Sequence, residues 1–332
     1  MKPVLLVQGA SSIDDVPGLA AIEAQAEIRF ASDTEEMRAA LPGAEVMLGW
    51  DYRADSLREA WDNAGDLRWI HWGGAGVDAA MFPELVASDV KLTNARGIFD
   101  QAMAEWVLGM IICFAKDIPQ TLALQTRAEW RYRLSEMVSG RRALVIGVGS
   151  IGHAVARLLA AAGMQVEGVG RSERDGDRDF GHVHAIDELH ARLGFADYVV
   201  LITPLTEATR NLFGAAEFSA MAPHARFISL SRGALVVEAD LLAALNDGQI
   251  AGAALDVFVE EPLPADSPFW NTPNCVVSPH MSGDFAESES AVAQQFLQNW
   301  ARYRNGESLH NLVDKRLGFA AADQDQECGT ST

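Results

Sequence analysis

Residues 142–153 read Arg142-Ala143-Leu144-Val145-Ile146-Gly147-Val148-Gly149-Ser150-Ile151-Gly152-His153, and the fold is decided there. Ala143 to Ile146 is a short, apolar, branched run, long enough for one buried strand of a parallel sheet. It ends in Gly147-x-Gly149-x-x-Gly152, after which Ile151, Val155, Leu158, Leu159 and Ala162 recur at helical spacing. Strand, glycine turn and helix in that order predict a dinucleotide site. Gly147 allows the tight turn, Gly149 lets a pyrophosphate approach bare backbone, and Gly152 lets helix and strand pack closely. Ser150 and Ile151 open the helix, whose unpaired N–H groups and positive dipole end suit phosphate. An ordinary tight strand-to-helix connection is the alternative reading of the triplet.

Outward from this stretch, 332 residues with 49% hydrophobic content supply two cores of ordinary domain size. A formal charge of −20 opposes nucleic acid and anionic membranes as partners. The acid excess is spread along the chain, which predicts solubility rather than a binding tail. Cys113, Cys275 and Cys328 have neither metal-ligand nor redox-pair spacing, so no metal is expected and a reducing, cytoplasmic setting fits. The chain enters a strand at once, without a charged region and cleavage site, so no signal peptide is expected. The apolar stretch Trp106 to Ala115 is too short between charges to span a bilayer.

Val4 to Val7, Glu27 to Phe30, Val46 to Gly49, Trp69 to Trp72 and Val90 to Thr93 read as strands. Helical stretches at 34–40, 54–60 and 79–86 alternate with them. This alternation predicts a first α/β domain with a parallel sheet covered on both faces. A long apolar helix is expected from Gln101 to Ile118, ended by Pro119, then a polar helix holding Trp130 and Tyr132. The later strands of the second α/β unit are 166–169, 198–202, 225–230, 251–257 and 276–278. A last helix from about Glu287 to Tyr303 carries Val292, Phe296, Trp300 and Tyr303 on one stripe and stops near Asn305-Gly306. It is expected to return to the first domain, and little order is expected from Phe319 to Thr332.

Several further motifs follow in a fixed order: Gly74-Ala75-Gly76-Val77-Asp78, Ala104-Glu105-Trp106-Val107-Leu108, the glycine loop, Thr203-Pro204-Leu205-Thr206 with Thr209, and Ser231-Arg232-Gly233. Leu255-Asp256-Val257-Phe258 with Glu261-Pro262-Leu263-Pro264, and then Pro279-His280, complete the set. With these motifs the sequence resembles the D-isomer-specific 2-hydroxyacid dehydrogenases, in particular the glyoxylate/hydroxypyruvate reductases. The resemblance runs from about Trp69 to Gly283; Ser229 departs from it, standing where many relatives have Asn, and so does Glu238, which stands where Asp is usual. It implies an α/β protein of two Rossmann/flavodoxin-like domains with the active site in the cleft between them. Residues 1–101 plus 284–332 would form a discontinuous substrate domain, and 102–283 the NAD(P)-binding domain. It also implies a homodimer.

Reduction of a 2-keto acid needs a cation for the carboxylate, a proton donor for the carbonyl oxygen and a positioned hydride. Arg232, just after a strand, offers a planar fork that matches a carboxylate. His280 can donate the proton and, in reverse, accept one. Glu261 can bond the other ring nitrogen and fix the tautomer. The three residues are expected to act as a triad, whereas His182, His184, His190 and His224 read as incidental. Backbone N–H groups of Ala75, Gly76 and Val77 are candidates for the substrate carboxylate. The resemblance places Thr203, Pro204, Thr209 and Asp256 at the cofactor, Asp256 near the nicotinamide. Trp50, Tyr52, Arg53, Trp72 and Met281 are pocket candidates, core packing being the alternative for each.

Coenzyme choice is read at the end of the second strand, where NAD-binding sites place an acid on the ribose 2′-hydroxyl. That position is Gly170, and Arg171, Ser172 and Arg174 follow. Two guanidinium groups and a hydroxyl suit a 2′-phosphate, so NADP(H) is expected to be preferred, with NAD(H) possible. A solvated charged loop is the alternative, since Glu173 and Asp175 share the stretch. The rival functions are a formate- or phosphite-type dehydrogenase on the same scaffold and a nucleotide-sensing co-repressor-like protein.

Overall fold

Parallel strands linked by helices organise both halves of the chain. The computed structural model describes residues 2–320; Cys328 and the expected tail beyond Ala320 lie outside the described residues. The chain divides into two units. One runs to Phe99 and resumes at Phe285, and the other is Asp100–Asp284.

The first unit holds β1 (Val4–Gln8), β2 (Glu27–Ala31), β3 (Val46–Gly49), β4 (Trp69–Trp72) and β5 (Lys91–Asn94). They form one sheet in the order β2-β1-β3-β4-β5, with every pair parallel. Such strands are buried on both faces, which is why β3 and β4 contain no exposed residue. The helix Thr34–Ala40 starts where Asp33 accepts the Glu36 N–H at 2.9 Å, a side-chain cap. The last long helix, Ser288–Asn305, belongs to this unit and ends at Gly306 in the left-handed region (φ 72°). Its Phe296 and Trp300 pack with Leu5, Val7, Leu48 and Trp69 on one face of the sheet. Each such fully buried side chain stabilises by about 1.5–3 kcal/mol.

The second unit holds β6 (Arg142–Ile146), β7 (Gln165–Gly170), β8 (Arg174–Asp177), β9 (Gly181–Ala185), β10 (Tyr198–Leu201), β11 (Arg226–Ser229), β12 (Gly252–Leu255) and β13 (Cys275–Val277). The order is β13-β12-β11-β10-β6-β7-β9-β8, and all pairs are parallel except β8 with β9. Its core includes Phe213, Phe218 and Phe227, whose rings meet at 4.9–5.8 Å.

Four expectations are corrected. The long apolar helix is Asp100–Ala115, and Pro119 does not end it: a new helix, Ile118–Thr126, begins with this proline in its first turn. Proline is tolerated there because its missing N–H has no intrahelical partner at that position. No helix holds Trp130 and Tyr132; the backbone between 129 and 137 is irregular, and both rings are exposed. Residues 174–185 form an unexpected hairpin. At the tail, Phe319–Ala320 is ordered, forming β15 against β14 (Val313–Asp314). No single helix among the described residues is long and apolar enough to cross a membrane.

Candidate active site

The register of the second sheet explains why distant motifs meet. Ile146, Leu201, Ser229, Leu255 and Val277 lie in one transverse row across β6, β10, β11, β12 and β13. The chain leaves every one of these strands at the same edge. There it delivers Gly147, Thr203, Arg232, Asp256 with Glu261, and His280 in turn. Open parallel sheets bind ligands at this carboxyl edge, and β6, flanked by β7 and β10, is the point where the strand order reverses.

The glycine loop fits a dinucleotide. Gly147 has φ +114°, and a Cβ there would lie 2.7 Å from the Ile202 carbonyl. A Cβ on Gly152 would come 2.0 Å from the Gly147 oxygen, so backbone contact dictates glycine at both positions. Gly149 differs: no protein atom lies within 4 Å of its Cβ position, so this glycine serves approach from outside. It caps the helix Ser150–Ala161, whose N-terminal N–H groups suit phosphate. Beside it, the hydroxyl of Thr203 is buried and has no hydrogen-bond partner among the described residues; those of Ser229 and Ser231 share this state. Such orphans call for a ligand or water. Other nominated groups brace the loops: Ser150 Oγ lies 3.2 Å from Asp100 Oδ1, and Thr209 Oγ1 donates to the Pro204 carbonyl at 2.7 Å.

Arg232, Glu261 and His280 converge. Glu261 Oε2 lies 2.7 Å from His280 Nδ1, and Oε1 accepts the Phe258 N–H at 2.8 Å. Burial opposes ionisation of Glu261, but the His280 hydrogen bond, the Phe258 N–H and the Arg232 charge together hold its carboxyl below the usual carboxylate range. Arg232 bonds its neighbour's carbonyl, Ser231 O, at 2.7 Å. Gly233 permits the approach of the two loops: a Cβ there would fall 2.0 Å from the Phe258 carbonyl carbon.

Asp256 has a clear local task. It is fully buried; Oδ1 accepts from Ser278 Oγ at 2.5 Å and Met281 N at 3.0 Å, and Oδ2 from Ser282 N at 2.8 Å. The Asp256 carbonyl accepts the His280 N–H at 2.8 Å. These bonds fix the loop in which His280 sits at φ +52°, a conformation few non-glycine residues adopt.

At the end of β7, a Cβ on Gly170 would meet Val148 Cγ2 at 2.8 Å and lie 3.7 Å from Arg174 Nη1. A side chain there would require Val148 to shift, and a guanidinium stands beside the place it would occupy. Arg171 and Ser172 are exposed in the turn that follows.

In the first unit, Asn94 Nδ2 donates to the Ala75 carbonyl at 2.6 Å, and Ala95 N donates to that of Gly74 at 3.1 Å. Both bonds take carbonyls of the loop 74–77 and leave its N–H groups aside. Trp72, nominated for the pocket, is instead 1% exposed within the first unit's core. Sequence reading missed two supporting side chains, Asn94 and Asp177, while Glu238, noted as a departure from the family pattern, accepts the Val259 N–H on Oε1 at 2.8 Å.

A dinucleotide cradle sharing one sheet edge with an imidazole, its carboxylate and a guanidinium places this fold among the nicotinamide-dependent α/β oxidoreductases. Residues 108–282 match the family described as D-isomer specific 2-hydroxyacid dehydrogenase, NAD binding domain. Over 297 residues the chain is 31% identical to glyoxylate/hydroxypyruvate reductase A of Serratia proteamaculans, covering 86% of this chain and 92% of that protein. It is 30% identical over 260 residues to D-3-phosphoglycerate dehydrogenase of Methanocaldococcus jannaschii, covering 77% of this chain and 49%, about half, of that one. The crystal structure of the NADPH-dependent glyoxylate/hydroxypyruvate reductase of Sinorhizobium meliloti, in complex with NADP and sulfate, superposes with a TM-score of 0.82. It has 30% identity and covers 96% of this chain and all (100%) of that one. The chain belongs to the D-isomer specific 2-hydroxyacid dehydrogenase family, whose members are NAD(P)-dependent oxidoreductases.

Proposed function

We propose that this protein reduces a small 2-keto acid to the D-2-hydroxy acid with NADPH, glyoxylate and hydroxypyruvate being the favoured substrates. The observation that carries the reading is the bonded His280–Glu261 pair, on the same sheet edge as Arg232 and the glycine loop. Bound there, the reduced nicotinamide supplies a hydride. Arg232 holds the substrate carboxylate by charge-assisted hydrogen bonds. His280 donates a proton from Nε2 to the carbonyl oxygen, while Glu261 keeps Nδ1 engaged. Addition of one hydride and one proton balances keto acid to hydroxy acid. The N–H groups of Ala75, Gly76 and Val77 suit a carboxylate by the same chemistry, and we assign them to substrate binding.

The NADPH preference is supported by Gly170, which brings no acid to this strand end, and by Arg174 beside it, with Arg171 and Ser172 next in the chain. The relatives named for glyoxylate and hydroxypyruvate support the substrate class. We assign a homodimer as well: Trp130, Tyr132, Leu134 and Met137 are exposed along one irregular segment, an apolar display that calls for a partner. Cys113 and Cys275 are free thiols, in keeping with a reducing compartment.

The deciding test is coenzyme oxidation with NADPH and NADH over glyoxylate, hydroxypyruvate, pyruvate, phenylpyruvate and branched 2-keto acids. The reading requires the highest kcat/KM for NADPH with a two- or three-carbon acid. Turnover confined to phosphite or formate, or absent altogether, would remove it.

A further inference from the structure

The hairpin of β8 and β9 carries a carboxylate that sets the direction of Arg174. Arg174 donates from Nε and Nη2 to Asp177 Oδ2 at 3.2 and 2.7 Å. Asp177 Oδ1 accepts the N–H groups of Asp179 and Phe180 at 3.1 and 3.2 Å. The Asp177 side chain is only 5% exposed, against 42% for Arg174. Burial opposes its ionisation, yet Arg174 and the two N–H groups outweigh it and hold the carboxyl below its ordinary range. Asp177 is therefore a fixed charged post. The next acid anchors the same turn to the glycine-loop helix: Asp179 Oδ2 lies 2.8 Å from His153 Nδ1 and 2.9 Å from Arg157 Nη1. With Nε and Nη2 engaged, Arg174 turns Nη1 toward Gly170, 3.7 Å from that residue's Cβ position.

We propose that Asp177 is a positioning residue for coenzyme choice, holding the Arg174 guanidinium beside Gly170 so that Nη1 meets the 2′-phosphate of NADP(H). The inference rests on the NADPH reading given above. Two effects of Asp177 oppose one another: its negative charge repels a phosphate, while its hydrogen bonds remove the rotamer freedom of a long, half-exposed arginine. The geometry favours orientation, because the carboxylate lies on the far side of the guanidinium from Nη1.

D177N separates the two, since an amide oxygen still accepts the Asp179 and Phe180 N–H groups while the charge and the grip on Arg174 are lost. The purified enzyme is assayed with NADPH and NADH on its best keto acid. The NADPH-to-NADH ratio of kcat/KM should fall about tenfold, the scale of one charge-assisted hydrogen bond. The loss should lie in the KM for NADPH, with NADH values nearly unchanged, while Tm falls modestly because a buried carboxylate that favours the folded state is lost. R174Q should lower the ratio as well, and D177N should add little in that background. D177E, which keeps the charge, should retain most of the preference. A ratio that is unchanged or raised in D177N, or an equal loss with both coenzymes, overturns the role of Asp177 and leaves the NADPH reading standing. A wild-type enzyme that prefers NADH overturns both. Should D177N prove insoluble, the comparison of D177E with R174Q decides alone: a D177E ratio as low as that of R174Q overturns the proposal.

Discussion

Glu261 holds His280 from one side while its own loop holds Glu261. One carboxylate oxygen lies 2.7 Å from His280 Nδ1, and the other accepts the Phe258 N–H at 2.8 Å. The imidazole is therefore oriented by a group that cannot rotate without losing a backbone bond. E261Q keeps the shape but removes the charge. We expect turnover to drop by about 10²-fold or more, the usual scale for a compromised general acid. The KM for coenzyme should stay within about twofold, because neither residue belongs to the glycine loop. Steady-state kinetics with saturating coenzyme measure both; near-normal turnover would show that the pair is only structural.

The glycines of the loop differ in a way that substitution can read. G152A drives a Cβ to 2.0 Å from the Gly147 oxygen and must displace backbone. We expect a loss of several kcal/mol or no soluble protein, as for strained overpacking. G149A meets no protein atom within 4 Å and should cost under ~1 kcal/mol at this capping position. Yet it places a methyl where a pyrophosphate approaches backbone, so the KM for coenzyme should rise at least about tenfold. Thermal melts beside coenzyme titrations test the contrast, and equal effects on both readouts would contradict it.

Much of this edge was legible beforehand, and what was missed has physical causes. The runs 46–49 and 69–72 are apolar because parallel strands are covered on both faces, so composition marks their ends. Arg232, Glu261 and His280 each follow a strand, and the in-register edge brings them together. The hairpin was invisible because Arg174-Asp175-Gly176-Asp177 has little strand propensity; it forms with Gly176 bulged out of the register and Asp177 opposite Gly181, both glycines at positive φ, and is braced by the bonds of Asp177. The stretch holding Trp130 and Tyr132 differs: its polar composition suits a solvated helix as well as an irregular segment, and here the backbone is irregular with both rings exposed.

Asp256 offers a sharper test of loop fixation. Removing its carboxylate leaves the Ser278 hydroxyl and the N–H groups of Met281 and Ser282 without their acceptor. The buried Ser282 N–H left unpaired costs about 1–3 kcal/mol, and the part-buried Ser278 and Met281 groups cost less. D256A should therefore lower Tm by several degrees and release His280 from its left-handed conformation, with turnover falling further than stability alone explains. Activity measured well below the melting transition distinguishes the two effects. Full turnover in a destabilised D256A protein would mean that His280 needs no such clamp.

The last prediction concerns acid stability and lies at the opposite edge of the second sheet. Asp197, with a side chain only 8% exposed, accepts the Arg142 N–H at 2.7 Å and lies 2.9 Å from His224 Nε2. Burial pushes its carboxyl upward, but the Arg142 N–H, His224 and the charges of Arg142 and Arg141 prevail and hold it below the usual range. A carboxyl depressed in the folded state binds fewer protons there than in the unfolded chain near pH 4. Its contribution is present above the unfolded value and vanishes as pH falls through the folded one. D197N should thus be about 1–2 kcal/mol less stable than wild type at pH 7. The gap should begin to narrow as the pH drops below about 4 and close only once the pH passes the folded-state value, where both proteins carry a neutral group at this site. Melting temperatures from pH 7 to pH 3 measure it, and a gap that stays constant to pH 3 would assign the stabilisation to packing instead of charge.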